Sequence, residues 1–375
     1  MTLRVLHVYS GNLFGGIETL LLTFARHTGA IPGLEQRFAL CFEGRLSAEL
    51  VAAGAPPVVL GSVSMRQPWT VLRARRRLRQ LLSREPCSVV VCHTSWVHAV
   101  FGPVARSWGL PLVHYIHNPV TSLSLHDRWA QRTPPDLVIA VSQDTRASVS
   151  KLFPHCPVEH LYGPMPRPVS GYANPDRGRL RADLGCPPAG VVILQASRLD
   201  PWKGHEHHLR ALGEIKDLTS WVCWIAGGAQ RPKERRYLQD LRALAAALGL
   251  EGRVRFLGHR DDVPQLLASA DILCQANTGP EGLGLAFVEA ACAGLPIVTT
   301  DIGAAPEIVE PGCTGFLVPV GDVPAIASAL RHLIADGELR RRLGEAGRRR
   351  VIALCQPEAQ LKRFAELLSR CAGSV

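Results

Sequence analysis

Residues 280–290, with the sequence PEGLGLAFVEA, combine two carboxylates with two glycines at the start of a predicted helix. Glu281 precedes the helix and Glu289 lies inside it, so at about 1.5 Å of rise per residue the two stand on the order of 10–12 Å apart. That span matches the length from a hexose to the ribose of a nucleotide sugar. The free N–H groups at Gly284 and Leu285 would face the pyrophosphate between them. The stretch therefore predicts a site for all three parts of such a molecule.

The same stretch has a second interpretation, an ordinary helix with its apolar side on a sheet and both glutamates in solvent. A cluster upstream favours the ligand site, because RLDPWKG at residues 198–204 directly follows a predicted strand, where α/β folds place their ligand loops. Arg198 could donate a fork of hydrogen bonds to a pyrophosphate, and Lys203 supplies a compact charge. A departing nucleoside diphosphate gains negative charge, so two fixed cations would stabilise the transition state most. Two exposed surface cations on a loop are the alternative.

The chain contains no Asp-x-Asp sequence. A divalent metal ion that bridges a diphosphate normally needs carboxylates this closely spaced. Asp261 and Asp262 are adjacent, but Asp262, which precedes a Val-Pro pair, is typical of a helix N-cap. We therefore expect no metal site and no cofactor, with Arg198 and Lys203 in the place of the metal ion.

Gly15 and Gly16 follow the first predicted strand, in a loop at residues 10–16, and open a helix. They lack the full G-x-G-x-x-G pattern of dinucleotide-binding proteins, and no acidic residue at the end of the second strand is placed to hold a ribose. A nicotinamide cofactor is therefore not indicated. The glycines could still bring the backbone into contact with a phosphate or an acceptor, and a plain tight turn explains them equally well.

Short β-branched runs alternate with helical patterns along the whole chain, which is the rhythm of parallel, doubly wound sheets. Predicted strands lie at residues 4–9, 38–42, 58–60, 89–92, 112–116, 137–141 and 158–161, and then at 191–196, 221–226, 253–257, 272–275, 296–299 and 316–318. The clearest helices are predicted at 17–28, 233–248 and 325–336, with a last one from 357 to about 371.

A proline-rich stretch, residues 154–175, separates the two series of strands, and we interpret it as a linker. The sequence thus predicts an α/β protein of two facing Rossmann-like domains, with a ligand between them at the carboxyl ends of the strands. The domains would span residues 1–165 and 166–355. A C-terminal helix at 356–375 would pack back on the N-terminal domain.

The composition is that of an ordinary globular protein, with 47% hydrophobic and 20% charged residues among 375. The 11 cysteines include no C-x-x-C pair, which favours buried reduced thiols over disulfides or a metal site. No apolar run approaches the length of a membrane span, and the N-terminus enters a strand at once, so we expect a cytoplasmic location.

The net charge of +10 is concentrated in the first half of the chain. Its densest part, residues 73–79, lies in a predicted helix whose apolar positions recur at helical spacing. A basic amphipathic helix suits an anionic membrane surface or a polyanionic partner, and a solvated face over a core-packed helix explains the pattern as well. Only 6% of the residues are aromatic and no nucleic-acid motif is present, so nucleic acid is not an expected partner.

Five stretches together resemble the retaining nucleotide-sugar glycosyltransferases of family 4, which have the two-domain GT-B fold. The resemblance covers nearly the whole chain and is most specific in the second half. The stretches are Gly15-Gly16, residues 197–204, residues 258–263, Ala270-Asp271 and residues 281–290. The resemblance implies that the first domain binds the acceptor and the second domain binds the nucleotide-sugar donor.

The resemblance also implies roles for individual residues of the second domain. Glu289 would hold the ribose hydroxyls, and Arg198 and Lys203 the diphosphate. The loop that carries His259 and Arg260 would border the base.

The donor sugar would be bound by Glu281 and by the backbone of the residues after it, Gly282, Leu283, Gly284 and Leu285. His117, at the end of a strand of the first domain, matches a family histidine near that sugar, and a purely structural histidine is also common at such a position. Leu283 stands where the family often has an aromatic residue, and residues 277–280 depart from the usual pattern. Both changes border the sugar pocket and leave the donor hexose open.

The sequence therefore predicts a metal-independent retaining glycosyltransferase of polysaccharide or glycolipid biosynthesis. It would move a sugar from a UDP- or GDP-sugar to a hydroxyl of a saccharide or a lipid-linked acceptor, at the inner face of the membrane if the basic helix binds lipid. No carboxylate suited to double displacement is identified, and the resemblance favours a same-face mechanism. A sugar-nucleotide 2-epimerase of the same fold and a non-catalytic basic binding protein are the alternatives.

Overall fold

The computed structural model describes residues 2–11, 15–166, 169–229 and 231–373. The chain divides into two compact units, which we call the first unit (residues 1–166 with 355–375) and the second unit (residues 167–354). The predicted linker at 154–175 contains the last strand of the first unit and a 3₁₀ turn at Val169–Tyr172, while its residues 167 and 168 lie outside the described part.

Seven parallel strands form the sheet of the first unit: β1 (Leu3–Tyr9), β2 (Leu34–Leu40), β3 (Val58–Val59), β4 (Val89–Cys92), β5 (Leu112–Ile116), β6 (Leu137–Ala140) and β7 (Val158–His160). The helices between them are α1 (Gly16–Arg26), α2 (Arg45–Ala52), α3 (Pro68–Arg84), α4 (Ser95–Ser107), α5 (Leu125–Ala130) and α6 (Gln143–Ser148). The strand order is β3-β2-β1-β4-β5-β6-β7. Because this order reverses between β1 and β4, a crevice forms there at the carboxyl ends of the strands.

The second unit has a six-stranded parallel sheet: β8 (Val191–Ala196), β9 (Trp221–Ala226), β10 (Val254–Gly258), β11 (Ile272–Gln275), β12 (Ile297–Thr300) and β13 (Gly315–Val318). Its helices are α7 (Arg177–Asp183), α8 (His205–Glu214), α9 (Pro232–Ala247), α10 (Val263–Ser269), α11 (Leu285–Cys292), α12 (Ala305–Ile308), α13 (Val323–Ala335) and α14 (Gly337–Cys355). The order β10-β9-β8-β11-β12-β13 places the reversal between β8 and β11.

The last helix, α15 (Pro357–Gly373), returns to the first unit. The ring of Phe364 stacks on Phe24 at a centroid distance of 4.9 Å and on Tyr115 at 6.2 Å. Arg363 forms an ion pair with Glu159 at 3.2 Å. The helix therefore completes the core of a sheet whose last strand lies about two hundred positions earlier in the chain.

The inner strands are buried on both faces, which explains continuous apolar sequences such as VVVC in β4 and WVCWIA in β9. All eleven cysteines are free, and burial raises the pKa of the Cys41 thiol to about 12. Among the helices of the described residues, none combines the length and the apolar character that crossing a membrane requires. The predicted fold class, two Rossmann-like parallel-sheet domains, is confirmed.

The start of β2 differs from the prediction. The strand begins at Leu34 and not at residue 38, because its first half, LEQR, carries polar residues that do not resemble a buried strand. Gln36 is nevertheless buried, and its side-chain amide donates a hydrogen bond to the carbonyl of Phe24 at 3.0 Å. A tertiary hydrogen bond thus satisfies a polar group that the sequence pattern places outside the core.

Candidate functional site

Both predicted donor loops of the second unit lie at its switch point. Residues 197–204 follow β8 and residues 276–284 follow β11, and the two strands are neighbours in the sheet. The N–H of Thr278 donates to the carbonyl of Trp202 at 2.8 Å. A Cβ atom at Gly204 would stand 1.6 Å from the carbonyl oxygen of Ala276, and the φ of Gly204 is +69°. Only glycine permits this contact between the loops.

Lys203 and Glu281 form an ion pair at the centre of these loops. Their Nζ–Oε2 distance is 2.5 Å, and the side chains are only 11% and 16% exposed. The amide of Asn277 donates to the same oxygen of Glu281 at 3.2 Å, and the ammonium lies 4.0 Å from the ring centroid of Trp202. The sequence assigned Lys203 and Glu281 to separate parts of a donor, whereas the structure brings them into direct contact.

Two buried polar side chains, Gln195 and His208, support the backbone of the Lys203 loop. The amide of Gln195, on β8, donates to the carbonyl of Lys203 at 3.0 Å. Its oxygen lies 2.8 Å from Nδ1 of His208. Burial lowers the pKa of His208 to about 3, so this imidazole is neutral and donates from Nδ1 to the amide oxygen. Gln195 and His208 thus position the loop, and no local sequence signal marks them.

Arg198 is anchored less firmly than Lys203. Its side chain is 51% exposed, and its guanidinium lies 3.1 Å from the carboxylate of Asp200. A single ion pair with this much exposure leaves the guanidinium able to reorient toward an anion.

The glycine loop ends at the N-terminus of α11. Gly284 takes the N-cap position with φ +77°, and a Cβ there would stand 2.4 Å from the ring of Phe287. Since a glycine has no capping side chain, it leaves the first N–H groups of the helix without an N-cap side-chain partner. The carbonyl of Glu281 accepts from the N–H of Ala304 at 3.1 Å, and a Cβ at Gly303 would stand 2.6 Å from the nitrogen of Glu281. The loop after β12 therefore fixes the position of the Glu281 backbone.

The other predicted residues of this loop surround the same helix start. Gly282 and Leu283 are buried, and Leu285 is partly buried at the first position of α11. The leucine side chain at 283 is thus part of the core and is 7% exposed.

Glu289 lies on α11, about 1.4 turns after Gly284, and is partly buried. The hydroxyl of Tyr172 stands 3.5 Å from its Oε1. Tyr172 is buried and belongs to the stretch that the sequence analysis treated as linker. The first residues of the second unit therefore supply a side chain to the candidate donor site, which the sequence did not indicate.

The predicted base-side loop carries two short-range polar contacts. Nε2 of His259 lies 3.3 Å from Asp261, and Arg260 donates to both oxygens of Asp262 at 2.7 and 2.6 Å. The hydrogen bonds from Arg260 lower the pKa of Asp262. Asp262 occupies the predicted N-cap position of α10, although its side chain makes no cap hydrogen bond. A Cβ at Gly228 would stand 2.7 Å from that of His259.

Gly15 and Gly16 open α1 of the first unit, with Gly15 at the N-cap position. Residues 12–14 of the predicted loop lie outside the described part of the chain. In the first turn of α1, Glu18 is buried and accepts a hydrogen bond from the hydroxyl of Tyr9 at 2.6 Å. This contact ties the start of the helix to the end of β1.

His117 follows β5 and lines a cavity of about 240 Å³ in the first unit, together with residues of β4, β5 and the loops after them. Its Nε2 lies 3.0 Å from Nδ1 of His93. Burial lowers the pKa of His117 to about 3, so the imidazole is neutral at physiological pH.

Two family models cover most of the chain. Residues 14–164 match the model described as Glycosyltransferase Family 4. Residues 176–350 match the model described as Glycosyl transferases group 1. The first match covers β2 to β7 of the first unit, and the second match covers all six strands of the second unit.

The chain is similar to characterised transferases over most of its length. It is 31% identical over 327 residues to a GDP-mannose-dependent alpha-(1-6)-phosphatidylinositol monomannoside mannosyltransferase of Mycolicibacterium smegmatis, covering 81% of this chain and 83% of that protein. It is 28% identical to a D-inositol 3-phosphate glycosyltransferase of Actinosynnema mirum, covering 73% of this chain and 69% of that one. The crystal structure of HepE of Anabaena with UDP-glucose superimposes with a TM-score of 0.85 at 25% identity, covering 98% and 99% of the two chains. The protein is a glycosyltransferase and belongs to family 4, with the GT-B fold.

Proposed function

We propose that this glycosyltransferase takes its sugar from a nucleoside-diphosphate sugar bound by the second unit, without a metal ion. It transfers the sugar with retention of configuration to a hydroxyl of a lipid-linked or saccharide acceptor. The observation that carries the proposal is the buried Lys203–Glu281 pair beside the glycine-capped start of α11.

The diphosphate would lie between Lys203, Arg198 and the N-terminus of α11. Lys203 is already fixed by Glu281 and by the loop carbonyl that Gln195 holds, so its charge is in place before a ligand arrives. Arg198 is exposed enough to close on an anion. Preorganised cations and helix N–H groups stabilise the charge that develops on the leaving diphosphate, which is the task a metal ion performs in other enzymes.

The ribose would lie beside the middle of α11. Glu289 is a carboxylate with two acceptor oxygens, which suit a pair of vicinal hydroxyl donors. Tyr172, 3.5 Å from Oε1, limits the rotation of this carboxylate. The start of α11 therefore separates a sugar site at Glu281 from a ribose site at Glu289.

The contacts of Glu281 argue against a double displacement. Its Oε2 is engaged by both Lys203 and Asn277, which makes the carboxylate a poor nucleophile for a double displacement. In the same-face alternative, the bond from the anomeric carbon to the phosphate oxygen breaks while the acceptor oxygen bonds to the same face. The acceptor proton passes to the departing phosphate oxygen.

The relatives differ in the donors they are named for, and one of them is named for a lipid-linked acceptor. The mycobacterial relative is named for GDP-mannose and a phosphatidylinositol mannoside, whereas the Anabaena structure contains UDP-glucose. The test is a product assay with UDP- and GDP-sugars, lipid-linked acceptors and EDTA. We expect transfer from one of these donors in the presence of EDTA. NMR of the product should show that the configuration at the anomeric carbon is retained. A donor epimerised without acceptor, or activity that only added magnesium restores, would contradict the proposal.

The surface of α3 supports binding to an anionic membrane. Trp69 and Leu72 are 59% and 64% exposed on its outer side, and Arg73 and Arg76 are exposed beside them. Apolar side chains that can enter the interface, flanked by cations, characterise membrane-surface helices. The structure corrects one member of the basic cluster: Arg75 is partly buried and donates to the carbonyl of Val100 at 2.7 Å, so it joins α3 to α4.

The membrane proposal is tested with vesicles containing anionic lipid. Replacing Arg73 and Arg76 by Gln should reduce vesicle binding severalfold, since each cation near such a surface contributes about 1 kcal/mol. The loss should shrink as salt rises. The matched control replaces Arg235 and Arg236, an exposed pair on α9, by Gln. Equal vesicle binding by the wild type and the α3 variant at low salt would mean that these arginines face solvent and do not bind the membrane.

A further inference from the structure

Three histidines form a continuous hydrogen-bonded chain through the first unit. Nδ1 of His7, on β1, lies 2.9 Å from Nε2 of His93, which follows β4. Nδ1 of His93 lies 3.0 Å from Nε2 of His117, which follows β5. At the inner end, Nε2 of His7 lies 3.2 Å from the side-chain oxygen of Gln36. The chain thus runs from a buried amide on β2 to the wall of the cavity that His117 lines.

All three imidazoles are neutral. Burial lowers the pKa of His7 and of His117 to about 3. Burial, together with the neighbouring histidines, lowers the pKa of His93 well below its usual value. Each ring therefore carries one N–H and one lone pair. A chain of such rings has only two complete arrangements, with the protons either all on Nε2 or all on Nδ1.

Gln36 decides between the two arrangements. Its amide nitrogen lies 3.0 Å from the carbonyl oxygen of Phe24. A carbonyl oxygen can only accept, so the NH₂ group must face Phe24 and the amide oxygen must face His7. That oxygen also only accepts, so His7 is protonated on Nε2. Nδ1 of His7 therefore accepts a hydrogen bond from Nε2–H of His93. Nδ1 of His93 likewise accepts one from Nε2–H of His117.

We propose that Gln36, acting through His7 and His93, fixes the tautomer of His117 so that its unprotonated Nδ1 accepts a hydrogen bond from a substrate hydroxyl. Among the residues that the structure describes, Nδ1 of His117 has no hydrogen-bond partner. The ring plane is set by stacking on Tyr115, at a centroid distance of 4.8 Å, and by the hydrogen bond to His93. Gln36, His7 and His93 are positioning residues, since they act only through His117.

The unprotonated Nδ1 of His117 determines which chemical group can bind beside this ring. A lone pair at Nδ1 attracts a hydroxyl hydrogen and repels the anionic oxygens of a phosphate. The cavity would therefore receive the hydroxyl face of a sugar. The identity of that sugar rests on the proposed transferase function, whereas the tautomer does not.

The direct test is NMR of the wild-type protein with ¹⁵N-labelled histidine. Two-bond nitrogen–carbon-proton correlations identify the protonated nitrogen of each ring, and His117→Gln assigns the signals of His117. We expect Nε2–H tautomers for His7, His93 and His117 at pH 7.5. A proton on Nδ1 of His117, or a charged imidazolium there, would overturn the proposal. If the three histidines carry Nε2–H but the protein transfers no sugar, the proposed function is refuted and the tautomer assignment is not.

A variant tests the causal role of the buried amide. Gln36→Met keeps the side-chain length but removes both the donor and the acceptor, so His117 should populate both tautomers and kcat should fall about three- to tenfold. The control Gln239→Met changes an exposed glutamine on α9 and should change neither. A folded Gln36→Met protein with His117 still entirely on the Nε2–H tautomer would contradict the relay. If this variant does not fold, the wild-type spectrum decides.

Discussion

Replacing Lys203 by Met should damage stability and activity through two separate effects. Lys203 is 8% exposed, and without its ammonium Glu281 keeps Asn277 as its side-chain partner among the described residues. Breaking a fully buried ion pair costs about 3–5 kcal/mol. Because the two side chains here remain 11% and 16% exposed, water can solvate the carboxylate in part. We therefore expect a loss of about 2 kcal/mol in the free energy of unfolding.

A second substitution separates the two effects. Glu281→Gln added to Lys203→Met removes the unpaired charge and should recover most of the lost stability. It should not recover activity, because the cation on the leaving diphosphate is still absent, a loss of about 10²–10³-fold in kcat. Urea unfolding and initial rates of sugar transfer measure the two quantities for each protein. Lys233→Met, at the exposed start of α9, is the control for losing one lysine.

Two results would refute this reasoning. An unchanged free energy of unfolding in Lys203→Met would mean that the ion pair does not contribute to the folded state. Recovery of transfer in the double variant would mean that Lys203 serves only to neutralise Glu281 and does not act on the diphosphate.

Three further predictions follow from exposure and burial. Arg198→Ala should lower kcat by about 10–100-fold with the unfolding midpoint unchanged, since the side chain is 51% exposed; an equal rate in this variant would contradict the assignment. Glu289→Ala should weaken nucleoside-diphosphate binding about tenfold by calorimetry, and unchanged affinity would remove Glu289 from the ribose site. The pKa of His7 is about 3 in the folded state against 6.5 ordinarily, so the unfolded chain takes up the proton first and stability falls as the pH drops below 6.5. Urea unfolding between pH 7.5 and 5 should show up to about 1.4 kcal/mol lost per pH unit for each such histidine, and a flat profile would contradict the neutral buried state.

The elements that carry the donor loops were predictable from local patterns. The strand ending before Arg198 and the glycine loop before α11 have short-range signals, an apolar run and two glycines. The reversal between β8 and β11 then brings the two loops together. Neighbouring residues in the chain are enough to specify these features.

The supporting side chains were not predictable, because their partners are distant in sequence. Gln195 holds the Lys203 loop from within a strand, and Tyr172 reaches Glu289 from a segment interpreted as linker. Gln36 lies before the predicted start of its strand, yet it is buried and donates a hydrogen bond to Phe24. A polar residue inside an apolar pattern has no local signal that distinguishes exposure from a satisfied buried hydrogen bond.

Arg75 shows the same limit in a charged cluster. It stands among arginines that are exposed on α3, yet its guanidinium donates to the carbonyl of Val100 at 2.7 Å. Helical spacing alone places it beside Arg76, so only the packing of α4 separates a structural arginine from one available to a lipid surface.

The central claim is that Lys203 and its neighbours bind a nucleoside diphosphate without a metal ion. The direct measurement is calorimetric titration of UDP and GDP into the wild type and into the Lys203→Met/Glu281→Gln double variant, both in EDTA. We predict that one nucleotide binds the wild type in EDTA and that the double variant binds it at least tenfold more weakly, which corresponds to about 1.4 kcal/mol. Equal affinity in the two proteins, or binding by the wild type only when magnesium is present, would contradict the account.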